Sequence, residues 1–325
     1  MTSSQVPDGT AVAAELGLPA RRHRPFSWAR LNRAFAPYLL ILPIVVVIVA
    51  ILGYPLYKLV TLSFQQYGLP ELIQRQGEWI GLENFRSVLR DEIFWDTLLR
   101  TVIFTVANVG LTMVLGMLIA LLLVRVSLFV RILLTSALVL AWSMPPVVAV
   151  QVFLWMTNFQ NGVLNYVLAQ VGLAEPQHDF YATTFSKLAM VTLLIVWGAI
   201  PFVTITLYAA LAQVPRELVE AAEIDGAGPL RVFRDVTFPI LKPIFFILTS
   251  LSIIWDFGVF TQPYLLIGAG QLDPSNYLMG VYVYIEGYSH SDFGRGAAIS
   301  LLMVLIVAAL SVVYVRRMVR TEGAA

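Results

Sequence analysis

The sequence predicts an all-α integral membrane protein, a bundle of six transmembrane helices with a cytoplasmic loop of two short helices. Three observations predict it. Hydrophobic residues make up 58% of the 325-residue chain, charged residues only 13%, and the mean hydropathy is +0.79. A soluble domain carries roughly 25% charged residues, so this chain has too few charges to cover a water-facing surface. Apolar runs of the ~20 residues that a membrane helix needs recur six times. The cationic residues are also unevenly distributed between the segments that join these runs.

In chain order, residues 1–25 are polar and small and are expected to form a disordered tail. The membrane domain is expected over 26–320, and a short tail over 321–325. The spans are expected at 37–62, 101–124, 132–157, 188–212, 243–266 and 296–315. The first run is too long for the ~7–15-residue core of a signal peptide and is followed by no small-residue cleavage pattern, so it is read as an uncleaved span. The fifth is interrupted by Asp256. Residues 159–185 are broken by Asn161, Gly162, Asn165 and Pro176 and read as an interfacial segment. Pro145 and Pro146 should kink or interrupt the third span, either as a broken helix lining a pathway or as a static kink. Gly110 and Gly116 in the second span read as helix-packing positions.

Orientation follows from charge. With the N-terminus inside, the inner segments hold five Lys+Arg residues in the N-terminal tail (Arg21, Arg22, Arg24, Arg30 and Arg33), two at Arg125–Arg131, four over Arg216–Lys242 and three after Val315. That is 14 of 21, and positive residues favour the cytoplasmic side. Both termini are therefore expected in the cytoplasm, with the chain in a bacterial inner membrane.

Other features narrow the function. A formal net charge of +1 implies no nucleic-acid partner, and the absence of cysteine removes thiolate chemistry. His23, His178 and His290 are scattered without metal-ligand spacing, so no metal site is expected. No Gly-x-x-x-x-Gly-Lys-Ser/Thr sequence occurs, so the chain should not cradle ATP phosphates itself. No catalytic set appears at membrane depth, which leaves nothing for an intramembrane enzyme. Phe85, Val88 and Leu89 at i, i+3, i+4 spacing, beside Glu83, Arg86 and Arg90, predict a short helix on the membrane or on a partner.

The most informative stretch is the loop at 213–242. Pro215 suits the start of a helix, and Glu217 and Glu220 lie where the helix dipole favours negative charge. Leu218, Ala221 and Ala222 form one face. Gly226 suits the left-handed end of that helix. Gly228 and Pro229 start a second helix with Val232, Phe233 and Val236 on one face and Arg231, Arg234 and Asp235 on the other. Pro239 and Pro243 are expected to stop it. Phe233 reads as an anchor for a partner; packing of the loop beneath its own bundle is the other reading.

Glu220-Ala221-Ala222, then Asp225-Gly226-Ala227, Phe233 and Pro239, resemble the EAA loop of binding-protein-dependent ABC importer permeases. Val236 and Phe238 stand where isoleucine and leucine are more usual. The resemblance extends over most of residues 37–318, and Gly81-Leu82-Glu83-Asn84-Phe85 is similar to the carbohydrate, maltose- and trehalose-type branch, most of all to permeases of actinobacterial disaccharide importers such as those for trehalose. It implies a coupling-helix loop that docks on a cytoplasmic ATPase, with Glu220 meeting a basic residue and Phe233 filling a pocket. It also implies a heteromer of this chain with a second related permease, two ATPase subunits holding ATP and magnesium, and an external substrate-binding (lipo)protein. No cofactor is expected in this chain.

An ionisable residue inside the membrane is a candidate for function. Asp256, with Trp255, Gln262 and Tyr264, is the first candidate set for a sugar pathway; helix packing is the other reading of Asp256. Gln151, Trp155 and Asn158 form a second set, which an interfacial belt also explains. Tyr277, Tyr282, Tyr284 and Tyr288 suit either docking of an external protein or the headgroup level. An ATP-independent transporter or channel is the alternative function. It would need inverted repeats and several coupling-ion acids, and only Asp256 is offered.

Overall fold

The computed structural model describes residues 38, 40–173, 175, 177–268 and 273–322. The expected N-terminal tail with its arginines and His23, as well as Pro176 and residues 323–325, lie outside them. The chain divides into two units, residues up to Tyr57 and residues from Lys58 onward. The first holds most of helix α1 (Leu40–Ser63), which widens into a π turn at Val49–Gly53.

The second unit begins with a two-stranded antiparallel ribbon, β1 (Gln65–Gln66) and β2 (Glu78–Trp79), with Gln65 opposite Trp79. Helix α2 (Leu69–Gln74) lies between the strands and α3 (Glu83–Arg90) follows them. The long α4 (Glu92–Arg125) starts at Asp91, whose Oδ1 accepts from the Ile93 amide at 2.9 Å, a capping bond of the usual kind. Helices α5 (Leu128–Trp142) and α6 (Pro146–Met156) meet at a 100° bend. Pro145 is extended there and Pro146 opens α6. Neither can donate an amide, so the helix breaks where the sequence predicts. Helix α7 (Val163–Gln170) is a short helix within residues 159–185, and α8 (Thr184–Leu211) returns through the bundle.

Helix α9 (Arg216–Ile224) ends at Gly226, whose φ is +82°. Helix α10 (Pro229–Val232) then runs through a π turn, Phe233–Thr237, directly into α11 (Phe238–Phe257). Pro239 and Pro243 therefore do not stop the second loop helix, as the sequence suggested. The wide π turn precedes Pro239 and accommodates its missing amide, and Pro243 lies inside α11. The fifth span accordingly starts much earlier than expected and ends at Gly258. Helix α12 (Thr261–Ile267), a 3-10 turn (Pro274–Asn276), α13 (Met279–Tyr284), a π turn (Ile285–Ser289) and α14 (Phe293–Glu322) complete the chain. Among the described residues five helices are long and apolar enough to cross a bilayer, and six if the bent α5–α6 pair counts as one span.

The core is built on the α4–α8 pair. Val109, Met113, Met117 and Ala120 of α4 meet Val203, Leu207, Ala210 and Leu211 of α8, with Leu241 and Leu248 of α11 completing the cluster. Gly116 is required there, because a Cβ on it would lie 2.7 Å from Val203 Cγ1. Gly110, read from sequence as a second packing position, is exposed with nothing within 4 Å of its missing Cβ. Helix α3 is amphipathic as expected, but it packs on its own chain. Val88 is fully buried, Phe64 and Phe85 are 5.3 Å apart, and the buried Asn84 amide donates to the Ser63 and Gln65 carbonyls.

Gly116→Leu should destabilise the bundle by roughly 1–3 kcal/mol through overpacking against Val203, while Gly110→Leu should be neutral. Thermal unfolding of the detergent-solubilised variants, followed by monodisperse yield, checks both.

Candidate functional site

The two candidate regions lie at opposite ends of one helical segment. At the first end is the α9–α10 loop. Glu220, Ala221 and Asp225 are exposed, Ala222 is half-buried, and Pro239 is exposed beyond the π turn. Arg231 and Arg234 both pair with Asp235 on the outer face, at 3.6 and 2.7 Å. The anchor expected at Phe233 is half-buried against its own bundle, with its ring 5.9 Å from that of Phe238. The apolar side chains that stand out of the loop are Ile224, 86% exposed, and Leu230, 80% exposed. Leu230 borders two surface hollows, one with Phe233 and Arg234 and one with Arg125 and Phe245.

At the second end, α11 delivers Asp256 to a cavity of about 410 Å³ between the α5–α6 bend, α8 and the start of α12. Trp255, Asp256 and Gln262 line it, as one sequence-derived set proposed. The bend at Pro145–Pro146 opens this space, since Trp142 and Met144 precede the break and Pro146 and Ala149 follow it on the same wall. Phe202 of α8 stands between Trp142 and Trp255, with ring centroids 5.9 and 5.5 Å away. Asp256 is only 7% exposed, and its carboxylate has no hydrogen-bond or ion-pair partner among the described residues. An unpaired buried carboxylate is costly. No neighbouring helix among the described residues gives it a hydrogen-bond partner.

Tyr264 does not reach the cavity. It stacks on Phe260 at 4.9 Å and lies 5.0 Å from Tyr284, which in turn stacks on Tyr288. Gln151 and Trp155 are exposed on the side of α6 away from Asp256, and the Asn158 side chain accepts from the amides of Gln160 and Asn161 to close a turn. The structure therefore does not unite this second set with the first. Tyr277 and Tyr282 are buried in the core, so of the late tyrosines only Tyr288 is freely exposed.

Sequence reasoning missed two features. Trp142, Trp197, Phe202 and Phe260 line the cavity, yet in an apolar run they look the same as lipid-facing aromatics. A charge cluster also joins three separate elements. Arg295 of α14 pairs with Asp91 before α4 and with Glu286 at 2.9 Å, while the Tyr282 hydroxyl donates to Asp91 at 3.0 Å. Burial pushes the Tyr282 phenol up to about 12, so it keeps its proton. Arg100 donates to the carbonyls of Pro274 and Tyr277, and Thr101 accepts from the Met279 amide, fixing the α12–α13 connection to α4. The signal for these was charge at the span ends, which also suits plain interfacial residues.

Residues 112–320, which include both the loop and the cavity helices, match the family model of the binding-protein-dependent transport system inner membrane component. The chain belongs to that family. This inner membrane component is 44% identical over 290 residues to a diacetylchitobiose uptake system permease of Streptomyces coelicolor, covering 89% of this chain and 88% of the relative. It is 29% identical to a trehalose/maltose transport system permease of Thermococcus litoralis, covering 86% of this chain and 92% of the relative. The crystal structure of a bacterial ABC transporter involved in import of the acidic polysaccharide alginate includes a chain that superposes with a TM-score of 0.77 at 18% identity, over 90% of this chain and 98% of that one. The inner membrane component thus has the fold of ABC transporter membrane subunits, as its sequence predicts, and is a multi-pass membrane permease.

Arg295→Met should cost roughly 1–3 kcal/mol, because Asp91 and Glu286 lose their shared cation while remaining mostly buried. Arg295→Lys should recover part of that loss. Denaturant or thermal unfolding in micelles checks the order of the three proteins.

Proposed function

We propose that this chain is a permease subunit of an ATP-driven sugar importer, which forms half of the pathway and couples to a cytoplasmic ATPase through the α9–α10 loop. The observation that carries this reading is the unbroken helical path from Pro229 to Phe257. It has the exposed loop at one end and the Asp256 cavity at the other, ~40 Å apart at the rise of a helix. Movement of Leu230 by a docked partner is transmitted to Asp256 as motion of a stiff rod, with the π turn at Phe233–Thr237 as the place where it can flex.

Ile224 and Leu230 are apolar, exposed and at the loop's tips, which suits a groove on a partner better than Phe233 does. Glu220 is free on the same surface to meet a basic residue. ATP and magnesium belong to that partner in this reading. The 14 of 21 Lys+Arg residues on the loop side and the tails support a cytoplasmic loop. A second permease completes the cavity, and an external binding protein supplies the sugar. Aromatic walls with a few polar groups suit a sugar ring. The relative at 44% identity favours a disaccharide of the N,N′-diacetylchitobiose type; trehalose or maltose is the second candidate, supported by the relative at 29%.

A pull-down from mildly solubilised membranes tests the assembly. Wild type should carry an ATPase subunit and a second permease, and Leu230→Glu should lose the ATPase while keeping the permease. A wild-type chain that purifies alone returns the ATP-independent transporter. Glu220→Lys should abolish uptake with normal membrane insertion. Asp256→Ala should reduce uptake of labelled disaccharide at least ~10-fold, the loss expected when a buried charged hydrogen bond goes, with the assembled complex recovered at wild-type yield.

A further inference from the structure

The cavity wall has an electrostatic character that the proposed function does not use. Asp256 is the only ionisable residue among the described residues lining it, and no lysine, arginine or histidine is among them. The rest is aromatic or aliphatic, with Thr261 and Gln262 as the polar exceptions. Asp256 is largely buried as a residue, but its carboxylate oxygens keep access to the cavity and have no hydrogen-bond or ion-pair partner among the described residues. Low-dielectric walls strengthen any charge interaction inside such a space.

We infer that Asp256 is a charge filter that makes this half of the pathway select neutral or cationic sugars and reject uronates and other anionic ones. The inference rests on the sugar reading of the cavity. A neutral sugar brings hydroxyl or amide donors, which give the carboxylate the hydrogen bonds that the protein withholds. An anionic sugar brings a like charge, and this chain's described lining residues offer no cation to offset it. Its only remaining donors would have to overcome that repulsion. The aromatic rings do not help, because their negative faces also disfavour an anion. Asp256 is thus a specificity-determining residue as well as a ligand for hydroxyls.

The test uses the purified complex with its partner subunits and without the external binding protein, so that only the membrane site discriminates. Equilibrium binding is measured at pH 8.5 for tritiated N,N′-diacetylchitobiose and for a tritiated glucuronosyl-N-acetylglucosamine disaccharide of similar size. Wild type should bind the neutral probe and bind the uronate at least ~10-fold more weakly, a conservative figure for like charges at short range. In Asp256→Asn and Asp256→Ser, the uronate's own affinity should rise at least ~5-fold, whatever happens to the neutral probe, while Asp256→Glu should still reject it. Equal binding of both probes by wild type overturns the filter, as does a uronate affinity unchanged in both neutral variants. If wild type binds neither this disaccharide, trehalose nor maltose, the sugar reading of the cavity itself fails. If one of the two neutral variants elutes as an aggregate, the other decides the question.

Discussion

Hydrocarbon offers no water to a backbone amide, so every span in this protein must satisfy its own hydrogen bonds. That constraint produces the element on which the rest depends, the helical path from Pro229 to Phe257. It passes Pro239 in its first turn, just after a π turn, and continues through Pro243 without breaking. A true break there would have left bare carbonyls at the membrane edge and disconnected the exposed loop from the cavity. The two prolines therefore shape the helix rather than end it.

The same constraint explains the one place where a helix does break. At Pro145–Pro146 two consecutive residues lack donors, and α5 and α6 part at 100°. Irregular backbone at membrane depth is tolerated where it borders a cavity or is buried in protein, and here the cavity beside Asp256 occupies that angle. Trp142, Phe202 and Trp255 cover its apolar wall. One local sequence feature thus creates the space, and a residue over a hundred positions later supplies the one ionisable group among its described lining residues.

Stability is concentrated elsewhere. The close approach of α4 and α8 at Gly116, and the cluster of Arg295 with Asp91, Glu286 and Tyr282, hold the ends of the bundle together. Neither touches the cavity.

The fold was legible in the sequence because apolar runs of membrane length have no alternative solvent, and the two-helix loop was legible because Pro215, Gly226, Gly228 and Pro229 each have one favourable backbone role. Asp256 stood out because a charge inside a span is rare. What only the tertiary structure decided were the partnerships. Phe233 and Leu230 are both apolar loop residues, and their spacing alone does not say which is buried. Tyr264 and Trp155 share the composition of a sugar site, but Tyr264 stacks with other rings and Trp155 points away from Asp256. Trp142, before the 100° bend, and Phe202 of α8 look like lipid-facing residues until the packing brings both to the cavity. Periodicity specifies which way a helix faces relative to itself; which neighbour fills that face is set by packing between segments distant in sequence.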